Sequence, residues 1–373
     1  MARTLPVIAL ALLSAATLAA MQRAQAPAAA PASGALKGLT AVDGLKVGHF
    51  TLSERPTGCT VVLVEGTGAT GGVSQRGGAP GTRETDLLDP LNMVDRVNGI
   101  VLSGGSAYGL DAAQGAVRFL EERGVGWRVG AAGVVPIVPA AILFDLGFGG
   151  NAKVRPTADC GYKAATAATA SAVQEGNVGA GAGATVGKMG GSGAMKAGIG
   201  SAARVMPNGL VVAAIVAVNA VGDVIDPETG RVVAGARAAG GKTLADIRQL
   251  LRSGALVRAA GPAPGQNTTI AVVATNARLD KAQAARMALM ADDGLARAIA
   301  PSHTLGDGDT VFSLATGRFT GDANVSIIGA LAADALAEAI VRAAVFAEGS
   351  GGLPAARDLG TVPERFRGAV AGR

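Results

Sequence analysis

Apolar residues follow two alternating patterns along the chain. Short uninterrupted apolar runs flanked by Gly and Asn are typical of buried strands, and they occupy residues 60–65, 99–102, 210–218, 268–275 and 310–316. Longer segments with helical periodicity indicate helices over residues 107–123, 158–173, 243–251, 281–298 and 327–347. The chain is therefore predicted to contain both sheets and helices.

Two of the predicted helices carry further signals. Thr243 and Asp246 form a capping-box pattern at the start of the third helix. The last helix is apolar over about twenty residues, which is the length that a membrane span needs. However, Asp334, Glu338 and Arg342 recur at a helical spacing and form one polar stripe. An amphipathic helix packed against the rest of the protein is therefore predicted.

Two segments rich in small residues interrupt the apolar pattern. Residues 176–200 are dense in Gly, Ala and Ser and contain the cation Lys188, which indicates an irregular loop or a contact between layers. Residues 253–266 have the Gly and Pro content of a linker, and the chain changes at Asn267–Thr268 into an apolar strand. Such a junction is a place where a chain can be cut without unravelling its core.

Composition favours closely stacked layers and disfavours nucleic acid as a partner. Of the 373 residues, 49% are hydrophobic but only 3% are aromatic, and 56 are Gly, so the core is built from small and aliphatic side chains. The formal net charge is +5, but no Lys/Arg run is interleaved with aromatic residues. The length excludes a small disulfide scaffold.

Histidine and cysteine are scarce, which limits the available chemistry. The histidines are His49 and His303, the cysteines are Cys59 and Cys160, and no pair has metal-ligand spacing. No metal or other cofactor is predicted. The count allows one disulfide between Cys59 and Cys160, but two separate buried thiols are the preferred interpretation. With so few histidines, a Ser-His-Asp triad is disfavoured.

The amino terminus has the layout of a secretory signal. A cationic start precedes an apolar stretch over residues 5–20, and small residues follow up to Ala26. We predict a signal peptide over residues 1–26, a flexible tether over residues 27–37, and export to the periplasm or the exterior. The alternative is an uncleaved membrane anchor, which Pro6 and the limited apolar length disfavour.

A nucleophile can be activated without histidine when it is an N-terminal Thr, because its own α-amine serves as the base. An unperturbed α-amine has a pKa of about 7.7–8.0, so part of it is neutral near pH 7, unlike a Lys amine at about 10.4. Thr268 gains such an amine only if the Asn267–Thr268 bond is cut. Taken on its own, Asn-Thr-Thr before a strand is more commonly a turn.

Four motifs spread over the chain form one pattern, namely GQNTTIAVVATNA at 265–277, DGDT at 307–310, GTRETDLL at 81–88 and GGSAYGL at 104–110. Together they resemble the signature of DmpA-type aminopeptidases, a family that also contains nylon-oligomer hydrolases. The resemblance covers roughly residues 38–350. It implies an α+β fold that forms one domain over residues 38–373. The architecture would be an αββα four-layer sandwich, which ornithine acetyltransferases share.

The resemblance also implies an autoprocessed N-terminal-nucleophile hydrolase. The chain would be cut between Asn267 and Thr268 into an α chain (27–267) and a β chain (268–373) that stay associated. Thr268 would be the nucleophile in both self-cleavage and turnover. The family further suggests a tetramer of such αβ heterodimers.

Four other residues match active-site positions of the nylon-hydrolase branch. Asp307 and Asp309 match an acidic pair that orients the Thr hydroxyl and amine. Asn219 matches an amide that helps to hold the oxyanion, and Lys188 matches an active-site Lys. Without the resemblance, the Asp pair is an Asx turn, Asn219 ends a strand and Lys188 is a solvated charge in a glycine loop.

Substrate contacts are predicted at Ser106, Tyr108 and Phe144. Ser106 and Tyr108 lie in the 104–110 motif, whose Gly-rich turn enters a helix and is otherwise a close strand-to-helix contact. At Phe144 the characterised family members carry Tyr. Thr268 replaces the Ser of the classical β-aminopeptidases, and Asp307-Gly308-Asp309 departs from their Ser and Glu pair.

The preferred function is hydrolysis of amide bonds in small peptides or peptide-like amides, with 6-aminohexanoate oligomers among the candidate substrates. One alternative is acyl transfer in the manner of ornithine acetyltransferases, which share the layered fold and threonine self-cleavage. Another is an exported binding protein that kept the fold and lost catalysis.

Overall fold

The folded chain is described by a computed structural model over residues 33–190, 193–256 and 267–372. The predicted signal peptide, the tether up to residue 32 and residues 257–266 of the predicted linker lie outside these ranges. The last residues of the predicted tether form 3-10 turns over Ser33–Ala41. Leu39 at their end is buried, and its N–H donates to Ser201 Oγ at 2.8 Å.

Strands and helices are numbered along the chain. The strands are β1 Leu45–Thr51, β2 Gly58–Val64, β3 Ala69–Gln75, β4 Thr82–Arg83, β5 Arg96–Val97, β6 Gly99–Ser103, β7 Trp127–Arg128, β8 Val134–Val135, β9 Ala140–Ile142, β10 Thr185–Val186, β11 Met195–Lys196, β12 Ile199–Val205, β13 Val211–Asn219, β14 Asp223–Ile225, β15 Val232–Ala234, β16 Thr268–Thr275, β17 Ile299–Ala300 and β18 Thr310–Ala315. The α-helices are α1 Ala112–Glu121, α2 Ala158–Thr166, α3 Ile247–Arg252, α4 Lys281–Ala291, α5 Asp293–Ala298, α6 Val325–Val345 and α7 Glu364–Ala371. Further 3-10 turns cover Thr85–Leu88, Ser106–Asp111, Gly130–Ala132 and Gly179–Gly181.

Two mixed sheets lie face to face, and helices cover their outer faces. Sheet A has the strand order β1-β2-β6-β9-β4, and sheet B has the order β12-β13-β16-β18-β3-β5. Helices α1 and α2 pack on sheet A, whereas α4 and α6 pack on sheet B and α5 packs against α6. Buried side chains of both sheets, such as Val62 and Leu102 of sheet A and Ile215 and Phe312 of sheet B, share one apolar cluster. The predicted αββα four-layer sandwich is confirmed.

Glycines let the helices approach the sheets closely. A Cβ on Gly48 of β1 would lie 2.0 Å from the Ala164 carbonyl oxygen of α2. On the other side, a Cβ on Gly200 of β12 would lie 2.2 Å from the Ala339 carbonyl oxygen of α6. No side chain fits at either contact, so glycine at these positions is what lets helix and sheet approach so closely. The close stacking predicted from the composition is confirmed at these contacts.

The five predicted strands agree closely with observed strands, whereas four helix bounds need correction. The predicted helix over 107–123 begins with 3-10 turns, and α1 starts only at Ala112. The predicted helix over 158–173 ends at Thr166, because Thr169 exchanges backbone hydrogen bonds with Val47 at the edge of sheet A. The helix over 281–298 divides into α4 and α5 at Asp292, a buried residue whose carboxylate accepts a hydrogen bond from the Ser74 hydroxyl. Both breaks arise from contacts with distant segments.

The predicted capping box of the third helix is wrong. Helix α3 begins only at Ile247, and its N-cap is Asp246, whose side chain accepts from the Arg248 N–H. Thr243 instead precedes Leu244, which forms an isolated bridge with Arg237, so the chain is still extended there. Pairing with another segment has displaced the helix start.

Helix α6 lies on sheet B with its polar stripe engaged in ion pairs. Arg204 Nη1 is 2.6 Å from Glu338 Oε2, and Arg342 Nη2 is 2.7 Å from Glu175 Oε2. The predicted amphipathic helix is therefore confirmed. In the described ranges, no helix combines the length and the apolar character that crossing a membrane requires.

The two cysteines form a disulfide, which corrects the prediction of separate thiols. Cys59 on β2 and Cys160 on α2 have Cα atoms 6.2 Å apart, and both are buried. Helix α2 packs directly on β1 and β2, so the fold joins two residues separated by 101 positions in the sequence. Sequence spacing alone carries no information on such a contact.

Removing the disulfide is expected to lower the free energy of unfolding by about 2–4 kcal/mol, because the bond restricts a long loop of the unfolded chain. The variant is Cys59→Ala with Cys160→Ala, and the measurement is the urea unfolding midpoint. The free energy of unfolding of the wild-type protein should fall by the same amount when reductant is present. An identical midpoint with and without reductant would show that no disulfide forms.

Candidate active site

The register of sheet B brings several predicted site residues to one end of its central strand. Thr268 is the first residue of β16, which lies between β13 and β18. Asn219, the last residue of β13, pairs with Thr268 in the antiparallel ladder. On the other side, Asn267 forms a parallel bridge with Asp307, which precedes β18. The predicted nucleophile, amide and acid therefore lie side by side.

The carbonyl group of the bond predicted to be cut accepts two hydrogen bonds, which polarise it. The Thr268 hydroxyl donates to the Asn267 carbonyl oxygen, and the Gly308 N–H donates to the same oxygen at 2.9 Å. Thr268 is only 2% exposed and Asn267 is completely buried. A backbone N–H aimed at a carbonyl oxygen stabilises the negative charge that develops when the carbonyl is attacked. The arrangement suits attack on the Asn267 carbonyl by the adjacent hydroxyl.

Asp307 and Asp309 are buried, and both oxygens of each carboxylate accept hydrogen bonds. Asp309 Oδ1 accepts from the Thr269 N–H at 2.8 Å. Asp307 Oδ1 accepts from the Val221 N–H at 3.3 Å, and Oδ2 accepts from the Thr304 hydroxyl at 2.6 Å. Burial and the nearby charge of Asp309 raise the pKa of Asp307. Asp309 therefore contacts β16 at Thr269, one residue beyond Thr268. Within the described ranges, no hydrogen bond joins the Asp307 or Asp309 carboxylate to the Thr268 hydroxyl.

The Asn219 side-chain amide is oriented by contacts on both of its ends. Its Oδ1 accepts from Lys188 Nζ at 2.8 Å and from the Thr185 N–H at 3.1 Å. Its Nδ2 donates to the Phe144 carbonyl oxygen at 2.8 Å, which leaves a second N–H on that nitrogen. The amide is thus fixed with its donor end toward Phe144.

Lys188 provides a cation whose charge changes near neutral pH. Its Nζ donates to the backbone oxygen of Asn219 at 2.9 Å, in addition to the side-chain oxygen. Burial lowers the pKa of Lys188 to about 7, against the charges of Asp307 and Asp145, which raise it, while Lys196 lowers it further. Lys188 can therefore exchange a proton under physiological conditions.

A cavity of about 380 Å³ opens beside the scissile bond. Its apolar walls include Phe144, Phe148 and Leu353, and Asn267 and Lys188 also line it. Larger clefts occur elsewhere on the surface but contain none of the predicted site residues.

Among the described residues, neither the oxygen nor the nitrogen of the Asn267 side-chain amide has a hydrogen-bond partner. Leaving a buried amide without a partner typically costs about 1–3 kcal/mol.

Two predicted substrate contacts are placed outside this cavity. Tyr108 is 60% exposed, and the Arg155 guanidinium lies 3.7 Å from the centre of its ring. Ser106 has a left-handed backbone, and its N–H donates to the Leu143 carbonyl at 3.0 Å. Phe144 does line the cavity, and it also anchors Asn219. A substrate role for Ser106 and Tyr108 stays a prediction.

A buried ion pair that the sequence analysis does not identify supports the Phe144 segment. Arg55 Nη2 lies 2.8 Å from Asp145 Oδ1, and both side chains are fully buried. Asp145 also accepts from the Thr57 hydroxyl at 2.6 Å and from the Gly105 N–H at 3.0 Å. Because every contact spans at least 40 residues, no local pattern indicates it. The pair fixes both the cavity wall and the turn of the 104–110 motif.

Lys196 is a second buried cation that the sequence analysis does not identify. Its Nζ donates to the backbone oxygens of Gly181, Ala184 and Ala197, at 3.2 Å and 2.9 Å for the first two. Burial lowers the pKa of Lys196 to about 7, yet three acceptors require three N–H donors, which only the ammonium has. We therefore take Lys196 as charged in the fold, where it holds the loop that leads to Thr185.

Within the part of the chain that the structure describes, no cluster of three His, Cys, Asp or Glu side chains is placed to hold a metal ion.

Comparisons with known proteins agree with the observed fold. The sequence profile of peptidase family S58 matches residues 37–356. An uncharacterized aminopeptidase of Mycobacterium leprae is 42% identical over 357 residues, which cover 86% of this chain and 93% of the relative. A 6-aminohexanoate-oligomer endohydrolase of Kocuria sp. is 30% identical over 314 residues, 81% of this chain and 84% of the relative.

Solved structures show the same architecture at lower identity. The L-aminopeptidase D-Ala-esterase/amidase of Ochrobactrum anthropi, described as a variant of the Ntn hydrolase fold, has a TM-score of 0.66 at 20% identity, covering 91% of this chain and 96% of that one. A Burkholderia sp. β-aminopeptidase has a TM-score of 0.63 at 23% identity, covering 89% and 94%.

Fold and profile together define an amide-bond hydrolase with an Ntn-hydrolase fold. The chain belongs to peptidase family S58, and the resemblance to DmpA-type aminopeptidases that the motifs indicate is confirmed.

Proposed function

We propose that this protein is an autoprocessed threonine amidohydrolase that cleaves small peptides or peptide-like amides through an acyl-enzyme. The observation that carries the proposal is the geometry at Thr268. Its hydroxyl lies against the carbonyl of the preceding residue, and the Gly308 N–H is bonded to that carbonyl oxygen at 2.9 Å.

Self-cleavage begins when Thr268 Oγ1 attacks the Asn267 carbonyl carbon. The C–N bond to Thr268 breaks, the hydroxyl proton passes to the departing nitrogen, and an ester links Asn267 to Thr268 Oγ1. Water then hydrolyses the ester, which yields an Asn267 carboxylate and a Thr268 with free amine and hydroxyl. A single oxyanion donor such as the Gly308 N–H contributes about 2.7–4 kcal/mol to the attack.

Turnover uses the groups that self-cleavage releases. The neutral Thr268 amine accepts the proton of the hydroxyl, which attacks the substrate carbonyl, and it then gives the proton to the leaving amine as the amide C–N bond breaks. Water hydrolyses the ester that remains on Thr268 Oγ1, which releases the acid and restores the hydroxyl. The buried carboxylates Asp307 and Asp309 favour the ammonium that forms in this step. Asn219, held by Lys188, supplies a donor on the opposite side of Thr268.

The cavity suggests which acyl groups the enzyme accepts. In the uncut chain Asn267 occupies the acyl side of the scissile bond, among Phe144, Phe148 and Leu353. These three side chains make much of the cavity wall apolar, which suits an apolar acyl group. Peptides with apolar N-terminal residues and 6-aminohexanoate oligomers both meet this requirement.

A product-resolved substrate panel tests the proposal. We expect amine release from peptide amides and from 6-aminohexanoate oligomers by purified, processed protein. Acetyl transfer from acetylornithine to glutamate without amide hydrolysis would favour the transferase alternative. Binding without turnover of any of these compounds would favour a non-catalytic binding protein.

Export and assembly complete the proposal. The cationic and apolar pattern of residues 1–26 supports export, which is tested by cell fractionation and by the amino terminus of the mature α chain. The family resemblance supports a tetramer of αβ heterodimers, which light scattering on the processed protein tests. A monomeric heterodimer would contradict the assembly without affecting the chemistry.

Lys188→Met is expected to lower kcat/KM about 10- to 100-fold, the effect of losing a hydrogen bond to a charged group. Burial lowers the pKa of Lys188 to about 7, so the ammonium is present below that pH and is lost as the pH rises through it. The kcat/KM of the wild type should therefore decrease as the pH rises above 7, and this decrease should be absent from Lys188→Met. Lys153→Met removes an exposed cation and serves as the control. Identical pH profiles for wild type and Lys188→Met would refute this role.

A further inference from the structure

His303 lies between two buried carboxylates, beside the proposed nucleophile and outside the set of residues that the motifs assign. Its Nδ1 is 3.0 Å from Asp309 Oδ2, and its Nε2 is 3.8 Å from Asp292 Oδ1. The side chains of Asp309 and Asp292 are only 2% and 0% exposed. Neither ring nitrogen meets hydrogen-bond geometry with a described residue, and both contacts become ion pairs when the ring is protonated. A single ring therefore joins two buried acids.

The backbone of His303 fixes this position. His303 has φ 56°, in the left-handed region that few residues other than Gly adopt. Its backbone N–H donates to Asp309 Oδ2 at 2.9 Å, the same oxygen that the ring contacts. Both groups of one residue thus hold one carboxylate oxygen, while the other oxygen of Asp309 holds the Thr269 N–H at the start of β16.

Charges from each neighbouring element face the ring. Asp309 comes from the segment before β18, Asp292 from the junction of α4 and α5, and Arg76 from the end of β3. Arg76 Nε is 3.6 Å from Asp292 Oδ2, and the Ser74 hydroxyl donates to that oxygen. The ring is therefore surrounded by two acids and one more distant cation, a setting that favours its protonated form.

We propose that His303 is a positioning residue whose imidazolium bridges Asp309 and Asp292 and holds Asp309 in place beside the Thr268 terminus. This inference rests on the proposed function, because Asp309 matters to activity only if Thr268 is the nucleophile. Loss of the proton from His303 removes the bridge and leaves the Asp309 carboxylate held only by the backbone N–H groups of His303 and Thr269. Turnover is then expected to fall as the pH rises through the titration of His303.

The sign of the effect follows from the surrounding charges. Burial lowers the pKa of His303, but the contact with Asp309 and the charges of Asp309 and Asp292 outweigh burial and Arg76, so the pKa is raised above its ordinary value. Burial also raises the pKa of Asp292 to about 6, against Ser74, His303 and Arg76. The bridge between two anions is therefore complete above pH 6 and is lost as the pH rises through the raised pKa of His303.

Histidine NMR on the Thr268→Ala chain tests the bridge independently of activity. The protein has two histidines, and burial lowers the pKa of His49 to about 4, so His303 is the one expected to titrate near neutrality. The His303→Asn variant assigns its signal, and Asn tolerates the left-handed backbone. We expect a midpoint above the ordinary histidine value of 6.5, and a lower midpoint in Asp292→Asn because the charge of Asp292 is then absent. A midpoint at or below 6.5, or one that Asp292→Asn leaves unchanged, would overturn the proposal.

Kinetics of the processed enzyme test the consequence. His303→Asn is expected to lower kcat roughly tenfold with little change in KM, and to remove the decrease in kcat that accompanies His303 titration. An unchanged pH profile of kcat in His303→Asn would overturn the positioning role. If no amide is hydrolysed by the wild type, the proposed function fails, while the NMR titration still decides whether His303 bridges the two acids.

Discussion

Thr268→Ala is expected to yield a single uncut chain without amidase activity. The substitution removes the hydroxyl that lies against the Asn267 carbonyl, so neither the ester of self-cleavage nor the acyl-enzyme of turnover can form. Loss of a catalytic nucleophile typically lowers kcat by about 10⁶-fold, so the residual rate should not exceed background. Denaturing mass spectrometry and amine release measure the two effects on the same preparation.

Thr268→Ser is the matched control for this variant, since it keeps the hydroxyl and removes only a methyl group. It should be cut at the same bond and should retain activity. Processing of Thr268→Ala at the Asn267 bond would refute the assigned nucleophile. So would hydrolysis by Thr268→Ala at a rate near that of Thr268→Ser.

Gly308→Ala is expected to slow self-cleavage about 10²- to 10³-fold, the effect of losing one oxyanion donor. A Cβ at this position would lie 2.6 Å from the Ala79 carbonyl oxygen and 2.9 Å from Thr268 Oγ1. The backbone at Ala79 cannot rotate away as a flexible side chain would, so residue 308 must shift. The shift breaks the hydrogen bond from its N–H to the Asn267 carbonyl oxygen. The fraction of uncut chain over time after synthesis measures the rate.

Gly368→Ala provides the control for the added methyl group. Gly368 lies in α7, and a Cβ there meets no atom within 4 Å. This variant should be cut at the wild-type rate and be slightly more stable, because Ala favours a helix over Gly. Wild-type cutting by Gly308→Ala would show that its N–H has no role in self-cleavage.

Local signals were sufficient to predict five of the strands, namely β2, β6, β13, β16 and β18. Strand β16 has the predicted bounds because a continuous apolar run follows a segment of linker composition. The proximity of Asn219 and Asp307 to Thr268 depends on the register of three strands, which periodicity cannot supply. The family resemblance indicated these residues where the apolar pattern did not.

Errors in the sequence analysis share one physical origin, which is contact between distant segments. Cys59 meets Cys160 only because α2 packs on sheet A. Thr243 does not cap a helix because the next residue pairs with Arg237. Each of these contacts overrides a local preference.

Buried charges near the site were missed for a related reason. The Arg55–Asp145 pair joins segments 90 residues apart, and Lys196 is satisfied by backbone oxygens that carry no sequence signature. His303 stands close to Asp307 and Asp309 in sequence, but its second acid, Asp292, lies on another element. Charged residues of this kind become candidates only when their burial is known.

The amino terminus of the β chain tests the central claim most directly. Purified wild-type protein should give two chains under denaturing conditions, one of them 106 residues long and beginning Thr-Thr-Ile at Thr268. Amidase activity should appear in step with this chain. A fully active preparation that contains only the undivided polypeptide would contradict the account.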